Sequence, residues 1–192
     1  MGRLLLTELA HEGWLPFLQA GCTVVDATAG NGLDTEFLAR AVSPGGKVYA
    51  IDIQQSALDA TAARLGAKGL QECVRLIRGD HSRLGRLLPS ATAGRIRLVC
   101  FNLGYRPGGD HAITTRREST LPALRESLDL LEAGGVLSVM VYRGHPGGMD
   151  EAGAVEDFMS ALPAGWSRLQ RQSTGSAGNP GPVWWLISRS GC

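Results

Sequence analysis

Short apolar runs alternate with stretches of helical periodicity along nearly the whole chain. "CTVVDA" (22–27) carries no charge before its aspartate and predicts a buried strand. "LDTEFLARAV" (33–42) spaces its apolar residues along one helical face and meets a stop at Pro44-Gly45-Gly46. "KVYAID" (47–52), "CVRLIRGD" (73–80), "RIRLVCFNL" (95–103) and "VLSVMVY" (136–142) predict four further strands. Between them, "QSALDATAARLGAKG" (55–69) sets Leu58, Ala62 and Leu65 on one face of a helix, with Gly69 after it. "SRLGRLLP" (82–89) reads as a short helix, and "STLPALRESLDLLEAGG" (119–135) as a longer one with Ser119 as its cap and Gly134 as its stop. "DEAGAVEDFMSAL" (150–162) is the last helical pattern, and "WSRLQRQ" (166–172) and "PVWWLIS" (182–188) are the closing strands. The opening "MGRLLLTELAHEGW" reads as a helix.

Strand followed by helix, repeated along the chain, predicts an α/β domain with a parallel sheet and helices on both faces. No internal repeat or linker interrupts it, so residues 1–192 are expected to form a single domain. Only a loop separates the last two strands, so they should pair antiparallel. A seven-stranded, mostly parallel sheet with an antiparallel C-terminal strand fits the class I methyltransferase variant of the Rossmann-like fold better than a dehydrogenase domain. In open sheets of this kind, ligands bind beyond the carboxyl ends of the strands. The loops at 26–34, 52–54, 80–82, 102–119 and 142–150 therefore frame the expected site.

Composition narrows the partners. The chain is 44% hydrophobic and 19% charged, as soluble domains are, and its net charge of +1 supplies no global field toward nucleic acid or membrane. An RNA partner would have to meet a local patch. No apolar stretch approaches the ~20 residues of a membrane span. Position 6, where myristoylation calls for Ser or Thr, is Leu6. Cys22, Cys73, Cys100 and Cys192 are scattered without a CxxC, which predicts reduced thiols, no zinc or other metal site, and a cytoplasmic address.

The first loop, "GNGLDT", is Gly30-x-Gly32-x-x-Thr35. A dinucleotide fingerprint asks for Gly or Ala where Thr35 stands. A pyrophosphate there would also face Asp26 at the strand end and Asp34 in the first helical turn, a costly meeting of like charges. S-adenosylmethionine reverses the requirement, because it carries a sulfonium and an ammonium and no phosphate. The glycines still allow close backbone approach. Asp52, at the end of the second strand, is placed to accept hydrogen bonds from ribose hydroxyls. Gln54 can reach the ribose or adenine, and Asp80 and His81 can meet the adenine and its amino group. The alternatives stay structural: Asp34 as a charge favoured at a helix start, Asp26 and His81 as braces of their loops.

The second loop, "FNLGYRPGGDHAITTRREST" (101–120), is long, polar and glycine-rich, a composition usual for functional loops. It gathers Asn102, Tyr105, Asp110, His111, Thr114 and Thr115. "NLGY" is similar to the Asn-Pro-Pro-Tyr motif of amine-directed methyltransferases, with Leu-Gly in place of Pro-Pro. An amine acceptor needs its lone pair aimed at the methyl carbon, and an amide or carbonyl oxygen can hold its N–H groups. An aliphatic amine must also lose a proton, for which Asp110 or His111 is a candidate. Tyr142 and His145, after the fifth strand, are candidates to line the same pocket. The bland reading gives the threonines to helix entry and Asp110 and His145 to loop bracing.

"DATAGNGLDTEFLA", "AIDIQ", "NLGYRPGGDHAITT", Ser119-Thr120, "VYRGHPGG" and "NPGPVWWLIS" occur in order. Together they resemble a family of small class I methyltransferases once labelled rRNA methylases. That family is associated with methylation of 5-aminomethyl-2-thiouridine at the tRNA wobble position, giving the 5-methylaminomethyl form. The resemblance runs from about Thr23 onward. It implies cofactor contacts at Asn31, Asp34, Asp52, Gln54 and His81, and an acceptor site shaped by the "NLGY…GGDH" loop. It also implies tRNA as partner and suggests a homodimer. The chain departs from the family pattern at Leu33, Arg106 and His111, where the family often has His, Leu and Lys. Arg106, Arg116, Arg117 and Arg143 fall on the expected rim, where they can grip phosphates or simply be solvated. The competing readings are a methyltransferase for another acceptor (an rRNA base or a small amine), a binding module without catalysis, and a nicotinamide enzyme.

Overall fold

The computed structural model describes residues 6–110, 112–176 and 179–191. The strands are β1 (Thr23–Asp26), β2 (Lys47–Asp52), β3 (Val74–Arg78), β4 (Ile96–Leu103), β5 (Leu131–Val141), β6 (Trp166–Ser176) and β7 (Asn179–Arg189). They form one sheet in the order β3-β2-β1-β4-β5-β7-β6. The first five strands run parallel, and β7 lies antiparallel between β5 and β6. The order reverses between β1 and β4, which opens a crevice at their carboxyl ends.

The helices are α1 (Leu6–Trp14), α2 (Leu33–Val42), α3 (Gln55–Gly66), α4 (Leu84–Leu87), α5 (Arg117–Leu130) and α6 (Gly148–Ser160). Alternation along the strands sorts the core into two layers. Val24, Val48, Leu98, Met140 and Trp184 pack on one side with α1, α2 and the end of α3. Val25, Val99, Phe101, Val139 and Trp185 pack on the other with α4, α5 and α6. Both tryptophans are therefore core, and Trp184 donates its indole N–H to Ser138 Oγ at 2.9 Å. None of the described helices is long and apolar enough to cross a membrane.

The boundary between α5 and β5 differs from the sequence expectation, and β6 and β7 run longer than the expected 166–172 and 182–188. The helix expected over 119–135 occupies Arg117–Leu130, and residues 131–135 enter β5. Gly134 is no helix stop. It has φ of +75° beside a register shift, where Ile96 pairs with Leu131 but Leu98 with Val136. A Cβ on Gly135 would sit 3.0 Å from the Ile96 carbonyl oxygen, so the pair of glycines lets a bulged strand replace a further helical turn. Ser119 lies inside the first turn of α5, where its Oγ accepts the Arg116 N–H at 3.4 Å.

Candidate active site

The loops after β1 to β5 and one edge of α1 enclose a cavity of about 590 Å³. That volume suits a cofactor together with part of a substrate. Each loop arrives by a local rule. Gly30 and Gly32 take positive φ, +53° and +77°, and turn the chain from β1 into α2. Gly32 also sits where a Cβ would meet the Thr61 side chain at 2.9 Å, so it lets α3 close against the loop. Asn102 is tied to the first loop by its backbone N–H, which donates to Thr28 Oγ1 at 2.7 Å.

On the side of the first three loops, Gly30, Asn31, Asp34, Asp52 and Gln54 line the cavity, as do Asp80 and His81. Asp52 is held by two backbone donors, Gly30 N–H at 2.9 Å and Gln54 N–H at 2.8 Å. Burial raises the Asp80 carboxyl, but the Ser82 hydrogen bonds with the nearby His81 and Arg83 charges more than offset it, leaving it below its ordinary value. Burial pushes the His81 imidazole down, which favours its neutral form, against a smaller pull from Asp80 and Asp52. The His81 ring stands edge-on to Phe101, with centroids 5.9 Å apart.

Asn102, Tyr105, Arg106, Thr114, Thr115, and Arg116 line the opposite side, joined by Tyr142 and His145 from the loop after β5. Asn102 Nδ2 donates to Asp34 Oδ2 at 2.5 Å. His11 Nε2 lies 2.6 Å from the other oxygen, Asp34 Oδ1, and the imidazole stacks on Phe37 at 4.0 Å. An ionised carboxylate only accepts, so His11 carries its proton on Nε2 and Asn102 turns its NH₂ group toward Asp34. The Asn102 carbonyl oxygen is then the acceptor that this side chain leaves for other partners. Tyr105 and Tyr142 are each 38% exposed, and Leu33, Ile53 and Ile113 add exposed apolar surface to the same cavity.

Three sequence candidates stand elsewhere or differently, and a fourth is not described. Asp26 is fully buried below the cavity, accepting from Thr35 Oγ1 at 2.5 Å and Thr28 N–H at 3.2 Å. It does not line the cavity, so its place is that of a loop brace. Burial first, and then the Asp34 charge, push its carboxyl up to about 7, despite the Thr35 and Thr28 hydrogen bonds. Gly32 shapes the loop from beneath, against Thr61, and is not part of the lining. Asp110 is exposed and outside the lining, and its Oδ1 accepts the Ala112 N–H at 2.9 Å in a local turn. His111 lies outside the described residues.

The rim arginines also divide. Arg106 and Arg116 line the cavity, and Arg106 donates to Ser56 Oγ at 3.1 Å. Arg117 pairs with Asp150 at 3.2 Å. Arg143 donates to Gly181 O at 2.6 Å and to Ser173 Oγ and Thr174 O at 3.0 Å, so it fastens the β6–β7 hairpin.

Two residues were not candidates from sequence. His11 lies on α1, four residues after Thr7, which lines the cavity, and reaches the site through Asp34. Glu151 is fully buried on α6, and its two oxygens accept from Thr115 Oγ1 at 2.8 Å and Thr120 Oγ1 at 2.5 Å. A signal for Glu151 existed: it shares the apolar stripe of Val155 and Met159 at steps of four.

The family model described as "Putative rRNA methylase" matches residues 48–187. The chain belongs to this family. A "putative rRNA-methylase" of Clostridium thermocellum has the same fold, with a TM-score of 0.87, 33% identity, and coverage of 98% of this chain and all of that one. A "putative methyltransferase" of Streptococcus mutans, solved in complex with SAH, gives a TM-score of 0.84 and 32% identity over 98% of this chain and 99% of that one. The seven-stranded sheet of this rRNA methylase family member is thus the class I methyltransferase fold. The chloroplastic tRNA (mnm(5)s(2)U34)-methyltransferase of Arabidopsis thaliana is 44% identical over 171 residues, 84% of this chain. The match covers 61% of that relative's length.

Proposed function

We propose that the protein is an S-adenosylmethionine-dependent methyltransferase acting on tRNA. Its substrate in this reading is the amine of 5-aminomethyl-2-thiouridine at wobble position 34, which becomes the 5-methylaminomethyl form. The observation that carries the reading is the union of two features in one cavity. One is the Asp52 loop, suited to a ribose. The other is Asn102, whose amide Asp34 turns so that its carbonyl oxygen is free for an N–H donor. The relative named for the same tRNA chemistry supports the choice of acceptor.

The cavity's donor set fits the cofactor. Asp34, Asp52 and Asp80 supply carboxylates where a pyrophosphate would be repelled and a cationic, ribose-bearing ligand is attracted. When bound, S-adenosylmethionine supplies an electrophilic methyl group on a sulfonium. Asp52 keeps lone pairs for ribose hydroxyls beyond those used by Gly30 and Gln54. His81 and Asp80 offer polar atoms to an adenine edge.

Asn102 Oδ1 accepts an N–H of the acceptor amine and so aims its lone pair, a positioning effect that can itself supply several powers of ten in rate. Tyr105 and Tyr142 offer ring faces to the uracil, which must leave its stack to enter. Arg106 and Arg116 are the cations available to backbone phosphates. Action in the cytoplasm as a homodimer completes the reading, and sedimentation of the purified protein tests the oligomeric state.

The test of function is direct. The protein is incubated with labelled cofactor and bulk tRNA from a strain lacking the terminal wobble methylation, and the digested nucleosides are weighed by mass spectrometry. A gain of one methyl on 5-aminomethyl-2-thiouridine, lost in Asp52→Ala, is the expected result. Methylation of an rRNA base or a small amine in place of this nucleoside would move the acceptor assignment.

A further inference from the structure

An alkylammonium such as that of lysine titrates near pH ~10, so an aminomethyl acceptor reaches the protein protonated and must lose a proton before its nitrogen can attack. Of the two groups nearest in sequence to the "NLGY" motif, Asp110 stands outside the cavity lining with its Oδ1 accepting in its own turn, and His111 lies outside the described residues. A different carboxylate reaches the cavity wall from behind. Thr115 lines the cavity, its backbone N–H donates to Gly104 O at 3.0 Å, and its hydroxyl donates to Glu151 Oε2 at 2.8 Å. Gly104 lies two residues beyond Asn102, just past the end of β4, and all three residues line the cavity, so this hydroxyl belongs to the same wall as Asn102. Glu151 is sealed from solvent, and its second oxygen is taken by Thr120.

We propose that Thr115 and Glu151 form the proton exit for the acceptor amine. This rests on the amine-methylating reading given above. One N–H bond of the ammonium breaks and its electron pair stays on nitrogen. Thr115 Oγ takes that proton while passing its own to Glu151 Oε2. The products are a neutral amine, an unchanged threonine hydroxyl and a neutral glutamic acid. The freed pair is the one that forms the new N–C bond. The methylated product leaves as a secondary ammonium, and Glu151 returns its proton through Thr115 to the reopened cavity. Thr115 touches the amine; Glu151 acts through it.

Burial raises the Glu151 carboxyl above its ordinary range, by more than the Thr120 and Thr115 hydrogen bonds lower it, which brings it closer in basicity to the amine. The titratable groups facing it are His145 from the loop after β5, which lowers it, and Glu118 from α5, which raises it. Asp150, beside it on α6, is paired with Arg117. A glutamate on the apolar stripe of α6 that served only to join α5 and α6 would not need to meet a cavity-lining hydroxyl.

The experiment compares Glu151→Gln, which keeps the shape and one acceptor oxygen but cannot take a proton, with Thr115→Val and Thr115→Ser. Single-turnover methylation of tRNA bearing 5-aminomethyl-2-thiouridine is followed across pH. Near neutral pH, E151Q and T115V should be slower than wild type by about 10²-fold, the usual weight of general base catalysis. The deficit should close as pH approaches ~10, where the amine arrives neutral, and T115S should regain what T115V loses. A second readout needs no turnover. With SAH bound, adding the tRNA should produce the infrared band of a protonated carboxyl in wild type and not in E151Q. A deficit of equal size at every pH, or no deficit, or no carboxyl band, overturns the relay while leaving the acceptor reading intact. If E151Q does not fold, the T115V and T115S pair decides by the same criterion. Failure of wild type itself to methylate this tRNA removes the acceptor reading and the relay with it.

Discussion

Asp34 fixes the orientation of Asn102. The 2.5 Å contact between them admits one donor only, the amide nitrogen, because the carboxylate cannot donate. In the proposed reaction, replacing Asn102 with Ala removes the acceptor for the amine but little of the cofactor's surroundings. The single-turnover methylation rate should fall by roughly 10²-fold, while calorimetry shows the binding of S-adenosylmethionine little changed. Asn102→Asp should be worse, since it sets two carboxylates against each other.

His11 completes the other half of that carboxylate. His11→Ala deletes a hydrogen bond to a charged group and the stack on Phe37, and should cost about 1–3 kcal/mol of unfolding free energy. Urea unfolding measures it. His11→Gln retains a donor and should recover part of the loss, and a parallel fall in methylation rate would show that α1 helps to order the site.

Asp26 makes stability depend on pH in a definite direction. Its carboxyl rises from 3.8 to about 7 on folding, so between those values the folded chain holds a proton that the unfolded chain has released. Its contribution is therefore full below about pH 4 and is lost as pH rises through about 7. Asp26→Asn, which can still accept from Thr28 and donate to a rotated Thr35 hydroxyl, removes the dependence. Compared by urea midpoint at about pH 5 and about pH 8, wild type should lose stability relative to D26N.

Gly32→Ala tests the packing under the loop. The new Cβ would stand 2.9 Å from Thr61 on a backbone with φ of +77°. Left-handed strain and the contact together should cost about 1–3 kcal/mol. The thermal midpoint reports the loss, and cofactor affinity should fall with it because the Gly30 amide bonded to Asp52 moves with the turn.

The strands before residue 104 and α2 were legible because their apolar residues cluster between turn signals or keep one helical face. The carboxyl-end loops of a parallel sheet then had to share a site. The end of α5 was not legible. "LEAGG" is rich in helix formers up to its glycines, and only pairing with β4 shows that Leu131 belongs to the sheet. Among the acids, sequence could not separate Asp26 from Asp34. Both flank the glycines, but one points under the loop toward Thr35 and the other toward Asn102. Asp110 looked chemical because it is polar and near the motif; its own turn consumes it. Arg143 looked like a phosphate ligand, but its partners come from the hairpin some thirty residues on. Periodicity marks Glu151 as a buried position on α6, but Asp34, the partner of His11, and Thr115, a partner of Glu151, lie 23 and 36 residues away, where it says nothing.

β7 lies between β5 and β6 and sends Trp184 into one layer and Trp185 into the other. A chain emerging from the ribosome therefore carries β5 with an unpaired apolar edge until residues 179–189 have been made. Neither layer can close in that interval, and an exposed edge of this kind invites aggregation. A polypeptide cut short before β7 would keep that edge bare.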